Sequence, residues 1–392
     1  MRSNRRDFIK RTGTAGVAAI VLPCLQINEN MGENSKKEAF SFISPIDGDM
    51  LSKYDGKESA GNLLTKVRIS APSGQQFKIN GKEAKYDGSI YHTDIELTGY
   101  ENIIEAADIR TGEKLSIKVF WLKNVADKYR LSIDDNIWFL KDISVNSSKY
   151  KSIFENPYLN FLKKVHDQFD TKIHLNLFYQ TDGFNLSQMT DKYKSEWKDN
   201  AGWLRLSFHA LQEFPDRPYL NAGYDQVKND CILVKDQIRR FAGEELMGPV
   251  TTLHWGAANA EGCRALNDQG YKALAGYFNA EGPDTVSYYL NDEKRLHIND
   301  RFMWKDNKEE LILSRMAIVI NTLKLEEIVP YLESLRTSGH RPPYADLMIH
   351  EQYFYPSYFN YQPDFRDKVI TSVKWAADKG YKPAFLSECI FS

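Results

Sequence analysis

From residue 128 to the end, short apolar runs alternate with longer stretches in which apolar residues recur every three to four positions. The strand-like runs are "RLSID", "KIHLNLFY", "WLRLSF", "PVTTLHW", "ADLMIH" and "KPAFLSE". Between them, "NPYLNFLKKVHDQF" has a helix start at Asn156-Pro157 and places Tyr158, Leu162, Val165 and Phe169 at helical spacing. Residues 226 to 242 put Val227, Cys231, Val234, Ile238 and Phe241 on one stripe. Three more helical patterns follow in "EGCRALNDQG", "LEEIVPYLESLRTSG" and "FRDKVITSVKWAADKG". Strands alternating with amphipathic helices imply a parallel sheet with right-handed crossovers. Around seven strands over roughly 260 residues predict an α/β fold that closes, or nearly closes, into a barrel. Residues 280 to 310, with "TVSYYL" and "RFMWKD", break the rhythm and read as an antiparallel insertion.

Residues 39 to about 123 have a different pattern. "KVRISA", "QFKINGK" and "LSIKVFW" alternate apolar and polar residues, and turn signals recur at Asp47-Gly48, Ser73-Gly74, Asn80-Gly81, Asp87-Gly88 and Thr111-Gly112. Short strands at this spacing predict a small all-β sandwich. At 392 residues the chain exceeds the size of a single core, so we expect two domains, 39–123 and 124–392. Residues 1–38 read as an export signal and linker. Arg5 and Arg6 precede Phe8, Ile9 and Lys10, then an apolar run from Ala15 to Leu22, a pattern that resembles a twin-arginine signal. That run is too short for a permanent span. Pro23 sits where a lipoprotein signal wants a small residue, so lipid anchoring at Cys24 is not expected. The expected location is periplasmic or extracellular.

The formal net charge is −2 with no basic stripe, which argues against a nucleic-acid partner. Four sparse cysteines make neither a disulfide framework nor a Cys-x-x-Cys metal knuckle.

In a parallel α/β barrel the functional side chains gather at the C-terminal ends of the strands. Those ends here carry Asp134 and Asp135, His209, His254 with Trp255, and His350 with Glu351. Two adjacent carboxylates at the end of a buried strand repel unless a cation or proton lies between them. If the turn after His209 is helical, Glu213, four residues on, faces the same way and both can ligate one metal. Asp135 then supplies a third ligand, Asp134 acts as base, and His350 protonates the leaving group. The remaining histidines, His92, His166, His174, His297 and His340, are expected to be inert.

These residues carry a resemblance. "SIDDN", "SFHALQE" and "LMIHE", in that order, resemble the first, second and fifth motifs of the polysaccharide deacetylase (NodB-type) family, and the closing "KGYKPAFLSE" is family-like too. The resemblance covers residues 128 to 390. It implies a deformed (β/α)7-8 barrel of NodB type with one divalent ion, zinc first among the options, hydrolysing N- or O-acetyl groups on a poly- or oligosaccharide. Residue by residue it puts Asp134 at the base position, Asp135, His209 and Glu213 at the metal positions, and His350 at the acid position. The segment from "SFISPIDGDM" resembles the immunoglobulin-like modules attached to carbohydrate-active enzymes. The chain departs from the family at two points. Glu213 stands where the second metal histidine is usual, and His254-Trp255-Gly256 stands where the third motif supplies an arginine. His254 is therefore a further catalytic candidate and Trp255 a substrate-binding one. A literal "RPPY" at Arg341–Tyr344 directly precedes the fifth-motif strand and reads as a loop coincidence. Two other functions stay open: a glycoside hydrolase using Asp134 and Glu213, and a non-catalytic glycan-binding protein.

Overall fold

The computed structural model describes residues 40–278 and 287–391. The expected export signal with Cys24, and residues 279–286 of the expected insertion, lie outside the described residues. The chain divides into two compact units. One runs from residue 40 to Asp49 and from Asp55 to Trp121; the other comprises Met50–Tyr54 and the chain from Leu122 onward.

The first unit has two antiparallel sheets. One orders Ser41–Ser44, Asn62–Ser70, Tyr91–Leu97 and Lys85–Tyr86, with Lys57–Ser59 also on Asn62–Ser70. The other orders Lys114–Trp121, Glu101–Asp108, Phe77–Ile79 and Lys82–Glu83. Leu63, Thr65, Val67 and Ile69 are buried while Leu64, Lys66 and Arg68 are exposed, as a half-buried strand requires. The Phe77 ring of one sheet meets the Tyr91 ring of the other edge-on at 4.9 Å. Asn80 and Gly81 join their two strands with φ of 45° and 77°, the left-handed pair of a tight hairpin.

Besides Met50–Leu51 and a short hairpin of Gln180–Thr181 with Phe184–Asn185, the strands of the second unit are β1 (Lys128–Asn136), β2 (Ile173–Phe178), β3 (Leu204–Ala210), β4 (Val250–Thr251), β5 (Ala273–Gly276), β6 (Met303–Asp306), β7 (Leu311–Arg315), β8 (Ile318–Val319), β9 (Tyr344–His350) and β10 (Lys382–Pro383). The helices are α1 (Trp138–Val145), α2 (Pro157–Phe169), α3 (Lys194–Asp199), α4 (Tyr224–Phe241), α5 (Ala260–Asp268), α6 (Asp292–Arg301), α7 (Leu325–Arg336) and α8 (Phe365–Asp378). At the start of α2 the Asn156 side chain accepts from the amides of Tyr158 and Leu159, with Pro157 at the first helical position. Helix α4 buries Val227, Cys231, Val234, Ile238 and Phe241, the stripe read from the sequence. Each of its buried Val, Ile and Phe side chains contributes about 1.5–3 kcal/mol on burial.

The fold is mixed α/β, but its strands do not form one continuous ladder. One sheet runs β3-β2-β1-β9-β8, all parallel, with β10 also on β1; the other runs β4-β5-β7-β6. Strands β4 and β8 are too short to carry a ladder across, and single bonds join the sheets instead. The Met316 amide donates to Gly276 at 2.8 Å and the Ala317 amide to Asp346 at 3.0 Å, so the chain leaves one sheet and enters the other. On the far side the Thr251 hydroxyl donates to the Phe208 carbonyl. The antiparallel feature expected over 280–310 is the pairing of β6 with β7, which extends past that range.

Strand β1 is buried from Tyr129 to Asn136. Tyr129, Leu131 and Ile133 belong to the apolar core, whereas Arg130, Ser132 and Asp134 occupy the opposite face. Neighbouring strands do the same with His174 and Asn176, Ser207 and His209, and Asp346 and His350. Arg341 of "RPPY" lies before β9, at the end away from His350, with its guanidinium 4.5 Å over the Tyr54 ring. Among the described residues no helix is long and apolar enough to cross a membrane, and Cys231, Cys263 and Cys389 are free and buried.

Candidate metal centre

A regular strand would send Asp134 and Asp135 to opposite faces. The register between β1 and β2 slips between Ile133 and Asn136, and Asp135 takes a left-handed φ of 65°. Aspartate is among the few residues that tolerate this conformation. Asn136 braces the irregular turn: its Nδ2 donates to Ile133 O at 2.6 Å and to Asn176 O at 3.1 Å, and its Oδ1 accepts from Tyr158 at 3.1 Å. Both aspartates consequently act on His209.

Asp135, His209 and His254 converge. His209 Nε2 is 3.0 Å from Asp135 Oδ1, His254 Nδ1 is 3.2 Å from the same oxygen, and the two ring nitrogens are 3.1 Å apart. The other nitrogen of each ring is held by a backbone carbonyl. His209 Nδ1 donates to Thr252 O at 2.5 Å and His254 Nε2 donates to Glu213 O at 3.0 Å. A neutral imidazole that donates on one side presents a lone pair on the other. Two nitrogen lone pairs and a carboxylate oxygen thus face one another at contact distance, an arrangement that requires a cation or a proton among them. Donors around an ion held at about 2.0–2.2 Å lie roughly 3 Å apart, and one carboxylate with two imidazoles suits zinc and related divalent ions. Carbonyls that fix the ring orientation from behind are the usual companions of such ligands.

The electrostatics agree. Burial pushes the Asp134 carboxyl up to about 6, with the Asp135 charge adding and His209 and Asn176 opposing. Burial disfavours a charged His209, but Asp134 and Asp135 outweigh it and raise that imidazole above its ordinary value. The Asp134 carboxyl and the His209 imidazole therefore both hold a proton more tightly than they ordinarily would.

Glu213 is not in this group. Strand β3 ends at Ala210 and no α-helix follows before α4, so the helical turn that would have aligned Glu213 with His209 does not form. The physical reason is Pro215 and Pro218, which deny the loop a helical conformation. Glu213 contributes its backbone carbonyl to His254, while its carboxylate meets the Tyr358 hydroxyl at 3.4 Å. His254, expected as a catalytic group, stands among the ligand candidates instead.

Asp134 and His350 are partners in the β1–β9 register, so their side chains share a face. His350 Nδ1 donates to Asn321 Oδ1 at 2.8 Å, which directs Nε2 away from that contact. Asp135 and His254 have no exposure, Asp134 retains 3% and His350 6%, so all four are buried. Trp255, next to His254, adopts a left-handed φ of 64° and lies under the Arg217 guanidinium at 5.5 Å.

The sequence reading missed the polar residues behind the site, Arg130, His174, Asn176, Ser207 and Asp346. Their signal was present: polar residues at every second position of strands otherwise rich in Leu, Ile and Phe.

No known family model matches the chain, and no curated protein does. Among solved structures, a 4-alpha-glucanotransferase from Thermococcus litoralis aligns with a TM-score of 0.44 and 14% identity, over 67% of this chain and 39% of that protein. The chain thus spans well under two thirds of that enzyme's length. A putative polysaccharide deacetylase from Mycobacterium smegmatis aligns at 0.39 and 8% identity, over 65% of this chain and 84% of the other. A structure described as a novel carbohydrate deacetylase aligns at 0.38 and 7%, over 81% of this chain and 68% of the other. At these values the likenesses carry no argument about activity.

Proposed function

We propose that the protein is an exported, metal-dependent carbohydrate deacetylase that hydrolyses N- or O-acetyl groups on a poly- or oligosaccharide. The observation that carries this reading is the convergence of Asp135, His209 and His254 beside a second carboxylate, Asp134, set in register with His350. On this reading the second unit is a deformed (β/α) barrel, and the first an immunoglobulin-like module that positions it or contacts glycan.

Asp135, His209 and His254 would hold one divalent ion, zinc before others. Bound there, the ion supplies Lewis acidity toward the acyl oxygen and lowers the pKa of an attacking water. Asp134 accepts a proton from that water, because it is the remaining carboxylate of the pair and its Oδ2 makes no part of the Asn176 contact. His350, on the neighbouring strand, delivers a proton to the departing amine or alkoxide. Trp255 offers a ring face to a sugar.

Elemental analysis of the purified full chain tests the first step. We expect one divalent ion per chain, lost in His209→Ala and in His254→Ala, and acetate release from acetylated oligosaccharides that a chelator abolishes and zinc restores. A protein that neither carries nor takes up a divalent ion would sink the reading. Asp134→Asn should retain the ion yet lose turnover by about 100- to 10,000-fold, the usual range for a general base.

A further inference from the structure

Beneath the cluster, buried polar side chains of β1, β2, β3 and β9 form one connected run. Arg130 pairs with Asp346 at two points, Nε to Oδ1 at 3.0 Å and Nη2 to Oδ2 at 2.8 Å. Its Nη1 reaches His174 Nδ1 at 2.7 Å. His174 Nε2 lies 2.9 Å from Ser207 Oγ, Ser207 bonds to Asn176 Oδ1, and Asn176 Nδ2 reaches Asp134 Oδ1 at 2.7 Å. All six residues are at most 3% exposed.

The two ends fix the direction of every bond. A guanidinium only donates and a carboxylate only accepts. Arg130 donates to His174 Nδ1, so the imidazole proton is on Nε2 and goes to Ser207. The Ser207 hydroxyl proton then points to Asn176 Oδ1, and the Asn176 amide to Asp134. The Thr252 amide, a donor, also approaches Asn176 Oδ1 at 3.4 Å, which keeps the oxygen on that side. Burial and the Arg130 charge keep His174 well below its ordinary pKa, hence neutral, as an acceptor from arginine must be.

The geometry points to Asn176 as a positioning residue for Asp134, aimed from behind by a relay anchored on the Arg130–Asp346 pair. This inference rests on the reading of Asp134 as the base. The relay transfers no proton. It holds Oδ1 and leaves Oδ2 toward the incoming water, and because its bonds all run one way in a low-dielectric interior, each strengthens the next. What ties this run to the site is where it ends, on Oδ1 of the carboxylate that shares a face with His350.

The test uses the full chain and two readouts that do not depend on turnover. In crystal structures solved under matched conditions, Asn176→Leu should show the Asp134 carboxylate rotated away, with Asp135, His209, His254 and the metal content as in the parent. In a 15N-histidine spectrum of the parent, His174 should be neutral with its proton on Nε2. Kinetically, Asn176→Leu and Ser207→Ala should lower kcat by about tenfold to 100-fold with KM little changed, the scale of a misaimed group. His174→Gln, whose amide can accept from Arg130 and donate to Ser207, should recover most of what His174→Leu loses. If Asn176→Leu does not fold, Ser207→Ala, which deletes one oxygen, takes its place in the crystallographic arm. An unmoved Asp134 carboxylate or a His174 proton on Nδ1 overturns the inference. If the parent releases no acetate, the deacetylase reading fails, while the crystal and spectroscopic arms still decide the relay.

Discussion

His254 stands in the group with Asp135 and His209 where the sequence pattern put Glu213, and the difference shows what a residue pattern can carry. Asp134, Asp135, His209, His254 and His350 were legible as a set because each ends a strand-like run. Which of them meet was not legible, since that depends on a left-handed Asp135 and on the path of the loop after β3. The warning about Glu213 was nevertheless in the sequence, in the prolines at 215 and 218. A clean discrimination follows. The backbone carbonyl of Glu213 accepts from His254 while its carboxylate meets the Tyr358 hydroxyl, so on the proposed reading Glu213→Gln should leave metal content and affinity as in the parent, whereas His254→Ala should lose the ion. Metal content of the two purified variants checks this, and loss of the ion from Glu213→Gln would restore the carboxylate as a ligand.

At the scale of elements, the strands and helices of the second unit were readable from periodicity, but the device that ties β9 to α1 was not. The Glu351 carboxylate, fully buried, accepts from the amides of Ile137 at 2.6 Å, Trp138 at 3.0 Å and Phe139 at 2.7 Å, and from the Tyr355 hydroxyl at 2.8 Å. It caps the first turn of α1 from a strand that is remote in sequence, and a residue 214 positions away leaves no local signature. Burial pushes this carboxyl up to about 7 from an ordinary 4.5, against the pull of its hydrogen bonds. The folded protein therefore binds this proton more tightly than the unfolded chain. The resulting stabilisation is fully present below pH 4.5 and is lost as the pH rises toward 7. That pKa difference corresponds to about 3 kcal/mol. Glu351→Gln has nothing to titrate, so denaturation at pH 5 and pH 8 should show a smaller pH-dependent loss in the variant than in the parent. Glu351→Ala should destabilise at every pH by roughly 3 kcal/mol or more, because three amides, those of Ile137 and Phe139 buried, lose their acceptor. Equal pH dependence in parent and Glu351→Gln would show that another group dominates this range.

At the scale of the whole molecule, the chain divides into two compact units. The exact division was hidden, because Met50–Tyr54 belong by contact to the second unit while lying inside the span read as the first. Nothing in "MLSKY" announces this, since its partners are supplied by residues far along the chain. Tyr54 donates to Asp127 Oδ1 at 2.6 Å, Lys53 pairs with Asp127 Oδ2 at 2.6 Å, and the Leu122 amide donates to Leu51 O at 2.8 Å. Arg341 then stacks on the Tyr54 ring and pairs with Asp127. All of this lies beyond the strand starts, at the end of β9 away from His350. A chain beginning at residue 122 should therefore fold and, on the proposed reading, still bind a divalent ion, since every candidate ligand is retained, but unfold at lower temperature than the full chain. Tyr54→Ala in the full chain should reproduce part of that loss without touching metal content, at a scale of about 1–2 kcal/mol for one half-buried hydrogen bond and its ring contact. If the truncated chain folds yet binds no ion, the cluster depends on residues before Leu122 and the strand ends that follow do not suffice to form it.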